Sequence, residues 1–110
     1  MAGWYELTKT DKGQYSFVLK AGNSEVILRS EQYDAKASAS NGIASVQKNS
    51  ADVARYERNV AKDGRCYFNL KAGNHQIIGT SQMYKDESGR DNGIKSVQTN
   101  GPSIVIKDLS

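Results

Sequence analysis

The tetrapeptide KAGN at residues 20–23 recurs unchanged at residues 71–74. A second block, NGIASVQ at residues 41–47, returns at the same offset of 51 positions as NGIKSVQ at residues 92–98. That shift gives roughly twenty of the 45 residues from Tyr5 to Asn49 an identical partner, a level that indicates internal duplication. We therefore predict one structural unit present twice, with the copies at about residues 1–52 and 53–110.

The composition predicts a single small domain of ordinary globular character. The chain has 110 residues, of which 37% are hydrophobic, and a formal net charge of +3 without any run of basic residues. This mild positive charge is compatible with weak attraction to nucleic acid or acidic partners, but it more often serves solubility. Because about fifty residues alone bury little surface, we expect both copies to share one sheet and one core.

The sequence predicts a cytoplasmic protein without a membrane segment. The single cysteine, Cys66, excludes an internal disulfide and disfavours a disulfide-stapled secreted domain. The N-terminal residues MAGWY have neither a basic leader nor an apolar region typical of a secretory signal. No apolar stretch approaches the roughly 18–20 residues that cross a bilayer.

Three strands are predicted in each copy. Those of the first copy are expected at Trp4–Lys9, Tyr15–Lys20 and Glu25–Ser30, and the second copy repeats the latter two at Cys66–Lys71 and Gln76–Ser81. Alternation along these strands predicts that one set of side chains faces the core: Phe17, Leu19, Ile27, Cys66, Phe68, Leu70 and Ile78. Gly13 and Gly64 indicate hairpin turns, and the Gly-Asn pair of KAGN is expected to enter the left-handed region.

A helix is predicted after the third strand of each copy. In the first copy, Ala35, Ala39, Ile43 and Val46 recur at helical spacing, with Asp34 as the predicted N-cap and Asn49 as the C-terminal stop. The second helix is expected to begin later or fray, because Asp86, the Ser88-Gly89 pair and Arg90 interrupt the pattern. Gly42 and Gly93 inside the helices indicate close approach to the sheet. Short final strands are predicted at Val53–Tyr56 and Ile104–Lys107.

KAGN, then Tyr33 or Tyr84, then NGIxSV, is a pattern that resembles the YegP-like family of small bacterial proteins, a domain of unknown function. The resemblance spans nearly the whole chain and departs from the pattern at residues 88–91. It implies an α+β fold in which two tandem β-β-β-α-β repeats form one antiparallel sheet, packed against two helices, with swapped C-terminal strands. It implies no established activity, cofactor or catalytic residue.

The residues themselves offer no catalytic or metal-binding constellation, so we predict neither an enzyme nor a cofactor. His75 and Cys66 are the only imidazole and thiol and have no partners at ligand spacing, and their pairing as base and nucleophile has no counterpart in the first copy. Glycine-rich phosphate loops are absent, although the KAGN turns with Lys20 or Lys71 could offer N–H groups to an anion. Glu6 and Glu57 match between copies and are interpreted as strand positions facing a lysine rather than as catalytic acids.

We expect a binding surface on one face of the sheet, where five residues could gather: Trp4, Lys20, Arg29, Tyr67 and Lys71. The leading hypothesis is a non-enzymatic module that binds a protein or stabilises an assembly. The alternative is weak binding of single-stranded nucleic acid, since aromatic side chains mixed with lysine and arginine can stack on bases. An enzyme with an unrecognised site is the third hypothesis. The chain is predicted to be a monomer whose two copies form a pseudo-dimer.

Overall fold

Each copy of the repeat folds into three antiparallel strands followed by a helix. The computed structural model describes residues 3–110; Met1 and Ala2, which belong to the N-terminal stretch considered above, lie outside the described residues. The elements in chain order are β1 (Trp4–Lys9), β2 (Tyr15–Lys20), β3 (Val26–Arg29), α1 (Lys36–Asn49), a 3-10 helix (Val53–Arg55), β4 (Tyr56–Val60), β5 (Cys66–Lys71), β6 (Ile77–Thr80), α2 (Glu87–Asn100) and β7 (Ile106–Asp108). The predicted strand and helix order is therefore confirmed except at Val53–Arg55.

All seven strands form one sheet in the order β4-β5-β6-β3-β2-β1-β7. The copies join at the centre, where β3 and β6 are antiparallel with Arg29 opposite Thr80. The strand β7 of the second copy crosses to the first copy and pairs with β1 in parallel, with Ile106 opposite Tyr5. The predicted α+β architecture is confirmed, and the parallel β7 makes the sheet mixed rather than wholly antiparallel.

The strand exchange is one-sided. The strand predicted at Val53–Tyr56 is wrong, because Val53–Arg55 forms a 3-10 helix and Tyr56 already begins β4. The few residues at this junction cannot both end the first copy as a separate strand and open the second copy. Only the C-terminal segment is free to lie beside the other copy.

Both helices pack on one face of the sheet, where the predicted core residues lie. Phe17 and Phe68 are 1% and 0% exposed, as the alternation of their strands predicts. Phe68 packs edge-to-face against Tyr56, with ring centroids 5.5 Å apart, and stacks on Tyr84 at 6.4 Å. Phe17 is surrounded in the same way by the equivalent tyrosines of the first copy. The core is thus built from two nearly identical aromatic clusters.

A bulge in each third strand brings one further isoleucine into the core. Leu19 lies opposite Leu28, but the next residue of β2 lies opposite Val26, so Ile27 is the extra residue of β3. Ile27 is 4% exposed and its counterpart Ile78 is 7% exposed. Their predicted core positions are confirmed.

The second helix does not begin late. It starts at Glu87, the position equivalent to the first residue of α1, and the side chain of Asp86 accepts a 2.8 Å hydrogen bond from the backbone N–H of Gly89. Arg90 is buried beside Ile94 in the packed face of the helix, and its guanidinium contacts Asp91 at 3.4 Å. The prediction of a frayed start was wrong because an N-cap and an ion pair offset the poor helix formers.

The first helix lacks the cap that the sequence suggested. Its N-cap residue is Ala35, without a side-chain hydrogen bond, and the helix begins at Lys36. Asp34 instead accepts a hydrogen bond from the side-chain amide of Gln14 at 3.2 Å. The predicted capping role of Asp34 was wrong because a neighbouring turn engages its carboxylate. The predicted end of the helix at Asn49 is confirmed.

Turn geometry confirms the hairpin glycines and corrects the KAGN turn. Gly13 and Gly64 have φ angles of 83° and 87°, in the left-handed region that glycine adopts at least cost. In the KAGN turns, however, the left-handed residues are Ser24 and His75, with φ of 71° and 68°. Asn23 and its counterpart shape the turn through the side-chain oxygen, which accepts the backbone N–H two residues on.

The helix glycines do mark a close approach. A Cβ on Gly42 would lie 2.7 Å from the hydroxyl oxygen of Tyr33 and 2.9 Å from the ring of Phe17. A Cβ on Gly93 would lie 2.2 Å from the hydroxyl oxygen of Tyr84. Each helix therefore needs a glycine where the tyrosine after the third strand passes beneath it.

Candidate functional site

The face of the sheet opposite the two helices, here called the uncovered face, carries the predicted binding residues. Strand register places one row of side chains across this face, from one edge of the sheet to the other: Glu57, Asn69, Thr80, Arg29, Val18, Glu6 and Lys107. Because side chains alternate along each strand, Trp4, Lys20, Tyr67 and Lys71 project from the same side as this row. The structure thus brings all five predicted residues, Arg29 included, to one face.

The two lysines of the predicted surface are paired with glutamates. The Nζ of Lys20 lies 3.2 Å from the carboxylate of Glu6, and the Nζ of Lys71 lies 2.6 Å from the carboxylate of Glu57. The interpretation of both glutamates as strand partners of lysine is therefore confirmed. The pairing lowers the net positive charge that this face offers to a phosphate backbone.

Both glutamates are held ionised. Hydrogen bonds from Lys71, and then from Asn59 and Asn69, lower the pKa of Glu57 to about 2. The pKa of Glu6 is lowered first by a hydrogen bond from the indole N–H of Trp4. A carboxyl group with a depressed pKa is a poor proton donor near neutral pH, so neither residue suits general-acid chemistry.

Removing the ammonium beside Glu57 tests this electrostatic account. We expect Lys71→Met to raise the pKa of Glu57 from about 2 towards its ordinary value of 4.5, because the largest stabilising hydrogen bond is lost. In the native chain the depressed pKa stabilises the fold above the ordinary pKa, and this contribution disappears as pH falls through about 2. An NMR titration of the Glu57 carboxyl carbon measures the change directly.

Lys20→Met is the matched control, because Lys20 pairs with the other glutamate and should leave the titration of Glu57 unchanged. An unaltered Glu57 midpoint in the Lys71→Met protein would contradict the assignment of Lys71 as the dominant cause.

An exposed apolar and aromatic surface lies at the β1/β7 end of the uncovered face. The Nζ of Lys107 sits 4.4 Å from the centroid of the Trp4 ring, a cation–π contact. Lys107 lies opposite Glu6, so alternation places Val105 and Leu109 on the same side of β7. These residues are 52% and 61% exposed. We call Trp4, Val105, Lys107 and Leu109 the Trp4 patch.

Sequence reasoning included only Trp4 from this patch. The C-terminal strand was recognised from its alternation, but its position at the sheet edge, which leaves it exposed, depends on the crossover to β1. A signal was present in the repeat: Ile106 and Leu109 correspond to Arg55 and Arg58 in the first copy. The second copy therefore ends in apolar side chains where its twin carries charges.

The two aromatic residues predicted to act together are far apart. Trp4 is on β1 and Tyr67 is on β5, four strand spacings away in the order of the sheet. At about 4.8 Å per spacing they are separated by about 19 Å. They cannot stack on neighbouring bases of one strand, which weakens the predicted stacking platform.

The structure also separates the two residues that could have formed a nucleophile and base. Cys66 is buried at the start of β5, whereas His75 is exposed in the turn beyond the far end of that strand. Within residues 3–110, no three His, Cys, Asp or Glu side chains gather in a way that could hold a metal ion. Neither arrangement supplies a catalytic centre.

Two shallow depressions follow from the pseudo-twofold relation of the copies. The larger, of about 430 Å³, lies between Tyr33 of one copy and His75 of the turn in the other. The second lies between Asn23 and Tyr84, which occupy corresponding places. Both mark where a KAGN turn passes beside the tyrosine of the opposite copy. Neither helix in the described part of the chain is long and apolar enough to cross a membrane.

Comparison with known proteins agrees with the repeat and the fold. The model of the family described as a domain of unknown function, DUF1508, matches residues 11–57 and 61–108. A UPF0339 protein of Acinetobacter baylyi is 66% identical over 110 residues, covering 100% of this chain and 99% of that protein. The solution NMR structure of a Shewanella oneidensis UPF0339 protein is 63% identical with a TM-score of 0.94, covering 99% of this chain and 92% of that one. The solution NMR structure of yegP from Escherichia coli, described as a protein of unknown function, is 57% identical with a TM-score of 0.94, covering 99% and 94%.

Proposed function

The chain belongs to the family of the domain of unknown function DUF1508, in its two-repeat form, and we propose that it is a non-enzymatic module that binds a protein partner through the Trp4 patch. The resemblance to YegP-like proteins is confirmed by this membership. The printed names of these relatives state no activity, so the proposal is argued from the surface itself.

The observation that carries the proposal is the concentration of exposed apolar side chains on one edge strand. Ile104, Val105, Ile106 and Leu109 are 87%, 52%, 46% and 61% exposed within the last seven residues of the chain. Soluble proteins usually blunt such an edge, and a contiguous apolar patch on a monomer often marks an interface. Trp4 adds the kind of aromatic anchor that commonly dominates binding energy.

The complementary partner surface offers apolar side chains and an acidic group. Leu109 and Val105 present aliphatic surface, and Trp4 presents a partly exposed ring. Lys107 lies over that ring and places a positive charge at the centre of the patch. A partner with an apolar residue for the ring and a carboxylate for the ammonium would match both features.

Binding of single-stranded nucleic acid remains the competing hypothesis, and the arrangement of charges favours it less. Lys20 and Lys71 are neutralised by glutamates, while Arg29 and Lys107 keep some positive charge on the uncovered face. If phosphate contacts dominated, binding of a fluorescent oligonucleotide would be strongest at low salt and would fall steeply as salt is added.

A comparison of two surface variants tests the proposal. We expect the wild-type chain and Met83→Glu to retain the same protein partner from a lysate of the source cell, and Leu109→Glu to lose it. Leu109 lies in the patch, whereas Met83 is an exposed residue in the segment between β6 and α2, 43% exposed. Quantitative mass spectrometry of proteins retained by each immobilised chain gives the ratio.

Equal retention by all three chains would contradict a role for the patch, and tight oligonucleotide binding at low salt would favour the nucleic-acid alternative. We further propose that the protein acts as a monomer in the cytoplasm. A free, buried Cys66 supports a reducing compartment, and light scattering of the purified chain measures its oligomeric state.

A further inference from the structure

The outer edge of β4 is a strand-binding position that the structure leaves unfilled. β1 and β4 occupy equivalent places in the two copies and pair with β2 and β5 in the same register. β1 has β7 on its outer side, whereas β4 is the last strand of the sheet. The first copy therefore shows what the second copy could bind.

The backbone of β4 presents the groups that such a strand requires. The backbone N–H of Phe68 donates to the hydroxyl of Ser81, and its carbonyl accepts the Ser81 N–H at 2.9 Å, so the polar groups of Phe68 face β6. Arg58, opposite Phe68, is consequently in a non-hydrogen-bonded pair and turns its own N–H and carbonyl outward. The equivalent residue of β1 is Leu7, whose carbonyl accepts a 2.8 Å hydrogen bond from Leu109 of the C-terminal segment.

No other part of this chain can fill the position. The residues of the first copy that correspond to β7 are 55–57, and these already belong to the 3-10 helix and β4. The N–H of Tyr56 donates to Val53 within that turn. The described residues place no strand beyond β4, so an occupant must come from a separate polypeptide.

The side chains along β4 define the chemistry of the occupant. In the first copy, Ile106 faces Tyr5 and Lys107 faces Glu6. The corresponding residues of β4 are Tyr56 and Glu57, which again favour an apolar residue followed by a basic one. The Glu57 side chain is 42% exposed and lacks the second ammonium that Lys107 supplies to Glu6.

The third position favours an acidic residue. Arg58 and Arg90 both contact the single carboxylate of Asp91, at 3.2 and 3.4 Å. Two guanidinium groups sharing one carboxylate leave an excess of positive charge at this edge. Asp108 occupies the equivalent position of β7 in the first copy, opposite Leu7.

We propose that β4 accepts an extended segment of a partner protein as a parallel strand, with the side-chain order apolar, basic, acidic opposite residues 56–58. The internal pairing of β1 with β7 supplies the template for the geometry and for the order of charges. This site lies at the opposite edge of the sheet from the Trp4 patch, so it is independent of the proposed function.

A peptide with the sequence of residues 103–110, SIVIKDLS, is the probe, titrated into the ¹⁵N-labelled full chain. We expect saturable chemical-shift changes at the amides of Arg58 and Val60. A nitroxide at the peptide N-terminus should broaden Tyr56 more than Val60, as a parallel strand requires. The charge-exchanged peptide SIVIDKLS should bind about three- to tenfold more weakly, because it places like charges opposite Glu57 and Arg58.

Arg58→Pro is the sharpest protein variant, since it removes the outward N–H without removing a hydrogen bond to β5, and it should reduce binding strongly. Arg58→Glu, which keeps the backbone donor, should weaken binding of SIVIKDLS and guards against misfolding of the proline variant. The proposal is overturned if β4 amides do not respond at millimolar peptide, if Leu7 responds instead through displacement of β7, or if both peptides bind equally.

Discussion

Phe68→Ala should destabilise the protein by about 3–5 kcal/mol, the usual cost of removing a buried aromatic ring. Phe68 is fully buried at the centre of an aromatic cluster, edge-to-face with Tyr56 and stacked on Tyr84. The ring also touches the helix side of the core, so its loss leaves a cavity that neighbouring strands cannot close. For a domain of this size such a loss is a large share of the total stability.

Urea denaturation followed by circular dichroism measures the change, and Phe17→Ala should give a similar value because its surroundings are equivalent. Lys20→Gln serves as the control for the opposite face, with only a small shift of the unfolding midpoint expected. Midpoints unchanged in both alanine variants would mean that the assignment of faces to β2 and β5 is inverted.

The strands and their buried faces could be predicted because they depend on local alternation. Phe17 and Leu19 point inward for the same reason that Ser16 points outward, and the repeat confirms each assignment at a second place. Helix starts were less predictable. Asp34 had a suitable side chain for an N-cap, but Gln14, twenty residues earlier, competes for it. Such competition depends on tertiary contacts.

The candidate site was predictable in its face but not in its electrostatics. Trp4 and Lys20 were correctly assigned to one side of the sheet, yet the pairing of Lys20 with Glu6 depends on the register between two strands. The exposure of Leu109 depends on still more distant information, because β7 becomes an edge strand only by crossing to β1. Long-range pairing therefore decided what the local pattern left open.

Duplication creates a particular packing problem where β3 meets β6, and the sequence solves it by asymmetry. Leu28 and Gly79 are equivalent positions in the two copies, and both are buried. A Cβ on Gly79 would lie 2.7 Å from both Cγ and Cδ2 of Leu28. Two leucines would therefore collide across the pseudo-twofold axis, whereas two glycines would leave a void.

Exchanging these two residues should restore much of the stability that either single change removes. Leu28→Gly should cost at least about 3–5 kcal/mol, because it empties the shared space and adds a flexible glycine. Gly79→Leu should cost about 1–3 kcal/mol or more through overpacking. In the double variant the new leucine enters the space vacated by the old one, so urea denaturation should show a loss well below the sum of the two single losses. Additive losses would mean that the two positions do not share that space.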